Sequence, residues 1–304
     1  MSNLYNIYND DCLNVLQGMA DNSVDTVVTD PPYGISFLGA KWDYEVPNAD
    51  LWKEVLRVAK PGALLLSFFS TRTYHRGVTA IEDGGFEIRD QISWLYGSGF
   101  SKSSKLADGV GTSLKPAHDP IVLARKPISG TIKDTYEKWG TSGMNIDESR
   151  LSSGRLPTNV ILDEESAQLL DDTTPHTKSV KRKPEYNKKT ETIRTYTPTQ
   201  SDYGDHNTYA DSGGVSRFFY HAKIGKKERA LGNEHPTAKP LGLMSYLVKM
   251  VTPSNGIVLD PFMGSGATGE ACINNNFNFV GVEMDADYFD YAKSRLEKAE
   301  SRWV

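Results

Sequence analysis

Cysteine is scarce: Cys12 and Cys272 are the only two in 304 residues. Two thiols cannot build a disulfide framework, and their spacing suits no metal site. Both fall at positions expected to face a core, as inert buried thiols. Long apolar runs are absent, since none approaches the ~20 residues that span a bilayer. The first residues, Met-Ser-Asn-Leu-Tyr-Asn, carry neither the basic nor the apolar region of a signal peptide. A cytoplasmic protein without membrane association is therefore expected. No internal repeat is found. An overall excess of positive charge is missing too, the net charge being −5, which argues against a uniformly basic polyanion binder. The distribution is uneven, however. Residues 173–229 hold twelve Lys/Arg against six Asp/Glu, a balance of +6 that leaves −11 on the remainder. A basic segment on an acidic body is the footprint of a polyanion-binding module, or of a solvated lysine-rich loop.

Hydrophobic content of 38% and charged content of 24% describe a globular chain long enough for a sizeable core, in one large or two unequal domains. Strand and helix alternate from the start. Tyr5–Tyr8 reads as a strand, and Asp11 caps a helix from Cys12 to about Met19. Val24–Thr29 reads as a buried parallel strand. A loop, 34–46, carries Lys41, Trp42 and Asp43 and is long enough for a lid. Leu51–Ala59 has helical spacing and stops at Lys60-Pro61-Gly62. Ala63–Phe69 is a strand, Arg72–Asp83 a helix, Phe86–Trp94 a strand, and Pro120–Ala124 a further strand. The rhythm then fades. Residues 128–230 offer only Asn159–Leu162 as a strand and Glu164–Leu170 as a helix. Lys178–Gly214 has no apolar face and is expected to be disordered or ordered by a partner. Leu241–Val251 resumes as a helix, followed by strand Ile257–Asp260, helix Ala267–Asn275, strand Phe277–Glu283 and a helix from Asp285 to about Arg302. The pattern predicts an α/β body with a mostly parallel sheet, built from residues 1–127 and 230–304. Residues 128–229 form an inserted module.

Two stretches carry chemistry. The apolar run Val27-Val-Thr-Asp-Pro-Pro-Tyr33 ends in an acid, two prolines and an aromatic. Proline lacks an N–H and fixes φ, so a strand cannot pass through it. Asp30, the Pro31 carbonyl and Tyr33 then share one rigid loop, with two acceptors beside an aromatic plate. That loop suits a flat group bearing an amino substituent. The second stretch, Ile257-Val-Leu-Asp-Pro-Phe-Met-Gly-Ser-Gly-Ala-Thr-Gly269, is a strand, a Gly-x-Gly turn and a helix. Gly264 and Gly266 let backbone approach a ligand closely. Glu283 follows at the end of the next strand, where an acid can accept both hydroxyls of a ribose. Gly269 brings no companion phosphate-binding residue, and Asp260 with its acidic neighbours disfavours a diphosphate. A ribose-bearing cation such as the sulfonium S-adenosylmethionine fits better.

These motifs together resemble those of the S-adenosylmethionine-dependent DNA amino-methyltransferases. The matching residues are Asp30-Pro31-Pro32-Tyr33, the loop Asp260-Pro261-Phe262-Met263-Gly264-Ser265-Gly266, His235-Pro236-Thr237-x-Lys239-Pro240 before it, and Asp11-Cys12 near the start. The order, catalytic motif before cofactor loop with the recognition region between, is that of the family's beta group. Residues 94–102, 114–120 and 217–220 are similar to phage and prophage members. The resemblance implies a Rossmann-like methyltransferase fold with an inserted target-recognition module. It implies transfer to the exocyclic N6 of a flipped adenine, with cytosine N4 as the alternative. Asp30, Pro31, Pro32 and Tyr33 would be catalytic, with Tyr33 stacking on the base. Asp260, Phe262, Gly264 and Gly266 would hold the methionine end of the cofactor, with Lys239 and Pro240 beside it and Thr268 near its carboxylate. Glu283 would take the ribose, and Asp11 would lie near the adenine. Ser67 and Phe69 border the pocket or pack in the core. No nucleophilic cysteine is required, and the Pro-Cys pair used in ring-carbon methylation is absent. Double-stranded DNA is the implied partner, with Lys181, Arg182, Lys183, Lys188, Lys189 and Arg194 as phosphate contacts. A homodimer and a cognate restriction endonuclease stay open. A non-catalytic DNA-binding module is the reading from another class.

Overall fold

The computed structural model describes residues 4–36, 39, 41–97, 99, 103–179, 210–222 and 239–302. The six basic residues expected to contact phosphates, 181–194, lie outside these, as do residues 235–237 of the motif before Lys239. The first half contains β1 (Tyr5–Asn9), α1 (Cys12–Gly18), β2 (Val24–Thr29), α2 (Ala49–Val58), β3 (Ala59–Phe68), α3 (Tyr74–Asp83) and β4 (Glu87–Leu95). A short ribbon of β5 (Lys105–Ala107) and β6 (Val110–Gly111) precedes β7 (His118–Arg125) and α4 (Ile132–Trp139). There follow β8 (Val160–Asp163), α5 (Glu164–Thr173), β9 (Thr177–Lys178), β10 (Ser212–Gly213) and β11 (Tyr220–Ala222). The chain closes with α6 (Leu241–Val251), β12 (Ile257–Asp260), α7 (Ala267–Asn274), β13 (Asn278–Glu283) and α8 (Ala286–Glu300).

Nine strands form one sheet in the order β1-β13-β12-β2-β3-β7-β4-β8-β11. Only β7 runs against its neighbours β3 and β4; every other pairing in this sheet is parallel. The central strands alternate between two apolar layers, as a sheet covered on both faces requires. Val27, Leu65 and Leu259 face one layer with Leu16, Trp52 and Ile81 of α1–α3. Val28, Leu66 and Val258 face the other with Leu247, Ala271 and Leu296 of α6–α8. The polar residues inside β2 are each matched. Asp25 pairs with Lys60 at 2.5 Å and accepts from the Ile257 N–H, while Thr26 donates to the Val251 carbonyl. This pairing makes a buried strand with an acid in it tolerable.

The helix starts follow local chemistry. Asp11, Asn48, Asp163 and Asp285 each accept a backbone N–H at the head of α1, α2, α5 and α8. Three expectations change. Lys60-Pro61-Gly62 ends the helix but lies within β3, which begins at Ala59. The segment 128–230 contains α4, which has a Thr131/Asp134 capping box and a left-handed Gly140 at its end. The separation at residue 127 is not sharp either. β8 pairs with β4 and β11 pairs with β8, extending the main sheet. The strand edge left by β4 needs partners for its N–H and C=O groups, and the buried Ile161, Leu162 and Ala222 supply apolar cover. Asn145 further stitches this region to the body by donating to the carbonyls of Lys249 and Thr252.

Candidate active site

Parallel strands bring their carboxyl ends to one edge of the sheet, where ligands of open α/β folds bind. Here β2 ends at Thr29-Asp30, β12 at Asp260 and β13 at Glu283. Because β7 is reversed, it brings its first residues, His118 and Asp119, to the same edge beside the end of β4. These ends surround a cavity of about 770 Å³. Nine carboxylate side chains and a single Lys/Arg side chain, Lys239, line it among the described residues. Such a site attracts a cation and repels phosphate. No cluster among the described residues could hold a metal ion.

Asp30, Pro31, Pro32 and Tyr33 all line this cavity. The Tyr33 hydroxyl donates to Asp30 Oδ1 at 2.7 Å. Burial, then the Asp30 and Asp119 charges, hold the Tyr33 phenol well above its ordinary range, so it stays a donor. The loop is tied down from behind. Asp43, 1% exposed, accepts the N–H groups of Tyr33 (2.5 Å) and Gly34 (2.9 Å). Thr73 donates to the Tyr33 carbonyl at 2.6 Å. Lys239 is 8% exposed, and its ammonium donates to Asp30 Oδ2 (2.7 Å) and Tyr33 Oη (2.9 Å). It is thus aimed at the Asp30 loop, whereas Pro240 simply lines the wall.

The glycine loop shows a division of labour. Phe262 and Gly264 line the cavity, and the Gly264 N–H donates to Glu283 Oε2 at 2.9 Å. Glu283 Oε1 accepts from the Asp285 N–H, and burial raises the carboxyl above its ordinary value. Gly266 stands behind the wall. Its φ is +76°, and a Cβ there would lie 2.9 Å from Leu296 Cδ1, so glycine is demanded by both backbone and packing. Asp260 is 1% exposed and works from underneath. Its oxygens accept from Thr29 Oγ1 (2.7 Å), Thr268 Oγ1 (2.6 Å) and the Phe262 N–H (3.1 Å). Burial pushes its carboxyl up to about 7, against those hydrogen bonds. The Thr268 hydroxyl is therefore committed to Asp260. Asp11 borders the cavity while capping α1. Cys12 lies beside it with its thiol pushed up to about 12 by burial and then by Asp11, which leaves no thiolate nucleophile. Ser67 and Phe69 are wholly buried and not part of the wall.

Four cavity residues were not assigned roles from sequence. Asp43 anchors the turn after Tyr33. Asp119 Oδ1 accepts from the Tyr96 hydroxyl at 2.9 Å, and Asp119 Oδ2 lies 3.7 Å from the Lys239 ammonium. Burial raises Asp119 above the usual carboxylate range. Trp94 packs against Tyr96 with ring centroids 5.1 Å apart, and its buried indole N–H has no partner among the described residues. The register of β4 against β7 sets Trp94 opposite Asp119, a pairing that no local sequence pattern signals.

Comparison with known proteins follows the same geometry. The chain matches Type II methyltransferase M.HpaI of Haemophilus parainfluenzae at 23% identity, over 94% of its own length and 72% of that protein. A local match of 39% over 75 residues links it to Type II methyltransferase M2.MboI of Moraxella bovis, spanning 25% of the chain and 27% of that protein. Among solved structures, the M1.HpyAVI–SAM complex superposes with a TM-score of 0.53 at 22% identity, covering 96% of this chain and 98% of that one. The cytosine-N4-specific PvuII DNA methyltransferase gives 0.58 at 16% identity, covering 98% and 92%. At these identities the structures show a shared fold. The sequence profile of one family, described as DNA methylase, matches residues 24–294, nearly the whole sheet and both loops of the cavity. The chain belongs to the N6/N4 DNA methylase family, the S-adenosylmethionine-dependent DNA amino-methyltransferases.

Proposed function

We propose that this protein is a site-specific DNA methyltransferase that methylates the exocyclic N6 of an adenine flipped out of the duplex. The observation that carries the reading is the meeting of two loops in one acidic cavity: Asp30-Pro-Pro-Tyr33 at the end of β2 and Pro261–Gly264 with Glu283 at the ends of β12 and β13. A cavity of about 770 Å³ is within the range that encloses a nucleoside-sized cofactor. Its carboxylates suit a sulfonium, and M1.HpyAVI, which shares the fold, has been solved with S-adenosylmethionine. When bound, that cofactor supplies an electrophilic methyl, and transfer forms an N–C bond while the S–C electron pair leaves with sulfur.

The chain's own groups do the rest. An aromatic amine is a weak nucleophile because its lone pair is delocalised into the ring. Accepting its N–H bonds on the Asp30 carboxylate and the Pro31 carbonyl favours a pyramidal nitrogen with an available lone pair. Asp30 then stabilises the charge that develops on that nitrogen, and the amine proton is lost afterwards. Tyr33 offers its ring to the base, which reaches the cavity only after leaving the stack. Glu283 takes the ribose hydroxyls, Gly264 admits the methionine end, and Asp11 lies near the adenine. Lys181, Arg182, Lys183, Lys188, Lys189 and Arg194 supply phosphate contacts. In the family that these motifs resemble, Asp rather than Ser at the first position of the tetrapeptide is the commoner choice for adenine, which supports that base. Cytosine N4 is the second reading, since PvuII shares the fold and acts there. The test is transfer of labelled methyl from S-adenosylmethionine to DNA. Asp30→Ala is expected to abolish transfer and leave cofactor affinity within about 3-fold. Full activity in that variant would refute the role of Asp30, and DNA binding without any transfer by the unaltered protein would leave only a binding module.

A further inference from the structure

Asp30 is already engaged on both oxygens, by Tyr33 on Oδ1 and by the Lys239 ammonium on Oδ2. An ammonium at 2.7 Å competes directly with an amine N–H for the same oxygen. It also offsets the negative charge that Asp30 must present to a nitrogen turning positive. A second carboxylate waits on the other side. Asp119 Oδ2 is 3.7 Å from the same ammonium, within ion-pair reach but beyond a hydrogen bond. Moving Nζ by roughly 1 Å would exchange one partner for the other. The rings of Tyr33 and Phe68 flank the ammonium, with centroids 5.2 and 4.9 Å from Nζ, and such aromatic contacts tolerate a shift of that size. Asp119 is held in place for this by the Tyr96 hydroxyl.

The geometry points to Lys239 and Asp119 as a pair of positioning residues: Lys239 leaves Asp30 for Asp119 as the target amine enters, so that Asp30 meets the base uncompensated. The inference rests on the assignment of Asp30 as acceptor of the target amine. It departs from a place for Lys239 at the methionine end of the cofactor. The charged and titratable groups against this ammonium are Asp30 and Tyr33 from the end of β2 and Asp119 from β7; Tyr96, from the end of β4, and His118 act on Asp119, and Asp260, from β12, is coupled by charge to Asp30. Both tyrosines stay protonated, because burial and the neighbouring carboxylates raise them.

The test is a double-mutant cycle read as the single-turnover methylation rate on DNA from methylation-deficient cells. Asp119→Asn removes the receiving carboxylate, strands Lys239 on Asp30 and slows transfer by roughly 10- to 100-fold. Adding Lys239→Met removes the competitor, so the double variant transfers faster than Asp119→Asn alone by about 5-fold or more. A double variant as slow as Asp119→Asn, or slower, overturns the exchange. The pH profile supplies a readout that a structural role would not move. In Lys239→Met, Asp30 and Asp119 face each other without a cation, so the acid limb of the rate rises in pH. In Asp119→Asn, Asp30 loses a like charge and keeps its cation, so the limb falls. Unmoved limbs in both variants also overturn the inference. Cofactor binding, measured separately on each variant, checks that the fold is retained. Absence of transfer by the unaltered protein would refute the functional assignment itself. Transfer by the unaltered protein without rescue in the double variant refutes the exchange alone.

Discussion

Asp260 is the residue whose replacement says most about how the cofactor loop is held. Its carboxyl is fully enclosed, accepts three hydrogen bonds, and has its proton affinity raised to about 7, chiefly by burial. In the unfolded chain the same group titrates near ~3.9. The folded value is the raised one, so the folded state binds the proton more tightly. Stability from this group is fully present below about pH 4 and is lost as pH rises toward and through about 7. The full loss is roughly 4 kcal/mol, and between about pH 5 and about pH 8 the change is about 3 kcal/mol. Asp260→Asn imitates the protonated acid: it keeps an acceptor for a threonine hydroxyl and never charges. The assay is denaturant unfolding of both proteins at the two pH values. Subtraction removes the other raised carboxyls, Asp119 and Glu283, which titrate in both. The variant is expected near parity or slightly below at the acid value and more stable by a few kcal/mol at the alkaline one. An equal stability difference at both pH values would show that Asp260 has no raised affinity for its proton and would refute the reasoning.

Other substitutions separate the parts of the site. Gly266→Ala forces a Cβ onto a backbone at φ +76° and to within 3.0 Å of Leu296 and Ala292; it should cost about 1–3 kcal/mol in unfolding free energy and weaken cofactor binding. Glu283→Gln keeps one acceptor but turns an NH2 toward a backbone N–H. Calorimetry should show cofactor affinity reduced by roughly 10-fold or more, with only a small fall in Tm. Asp43→Ala leaves the Tyr33 and Gly34 N–H groups without their acceptor. Steady-state kinetics should show kcat reduced by about 10-fold or more while cofactor Kd stays within about 2-fold, because the change lies behind the catalytic tetrapeptide.

The parts legible in the sequence are those fixed locally. The apolar runs of β2 and β12 named themselves as buried strands, and Asp11, with Asp285 at the head of the last helix, showed where helices begin. The catalytic tetrapeptide and the glycine loop were visible for the same reason: each is a contiguous string. The reversed direction of β7 was not legible, because an apolar strand reads alike in both directions. That reversal is what brings Asp119 to the site. The contact between Lys239 and Asp30 joins residues 209 apart in sequence, and no local pattern encodes it. The capping box of α4 was readable in Thr131, Asp134 and Gly140 but was obscured by the polar stretch after it. β11 is three residues long and is a strand only because β8 offers it an edge. Asp260 lines the cavity as its motif suggests, and the structure adds its partners. The string Asp-Pro-Phe-Met-Gly suggests a ligand contact; that the carboxylate also accepts from Thr29, Thr268 and the Phe262 N–H is set by residues from other elements.

The central claim is that Asp30 presents an exocyclic amine of adenine to a methyl donor. The most direct measurement is nucleoside analysis, by liquid chromatography and mass spectrometry, of DNA incubated with the protein and S-adenosylmethionine. The account predicts N6-methyladenine, formed by the unaltered protein and absent with Asp30→Ala. N4-methylcytosine as the product, or N6-methyladenine formed equally well without the Asp30 carboxylate, would contradict it.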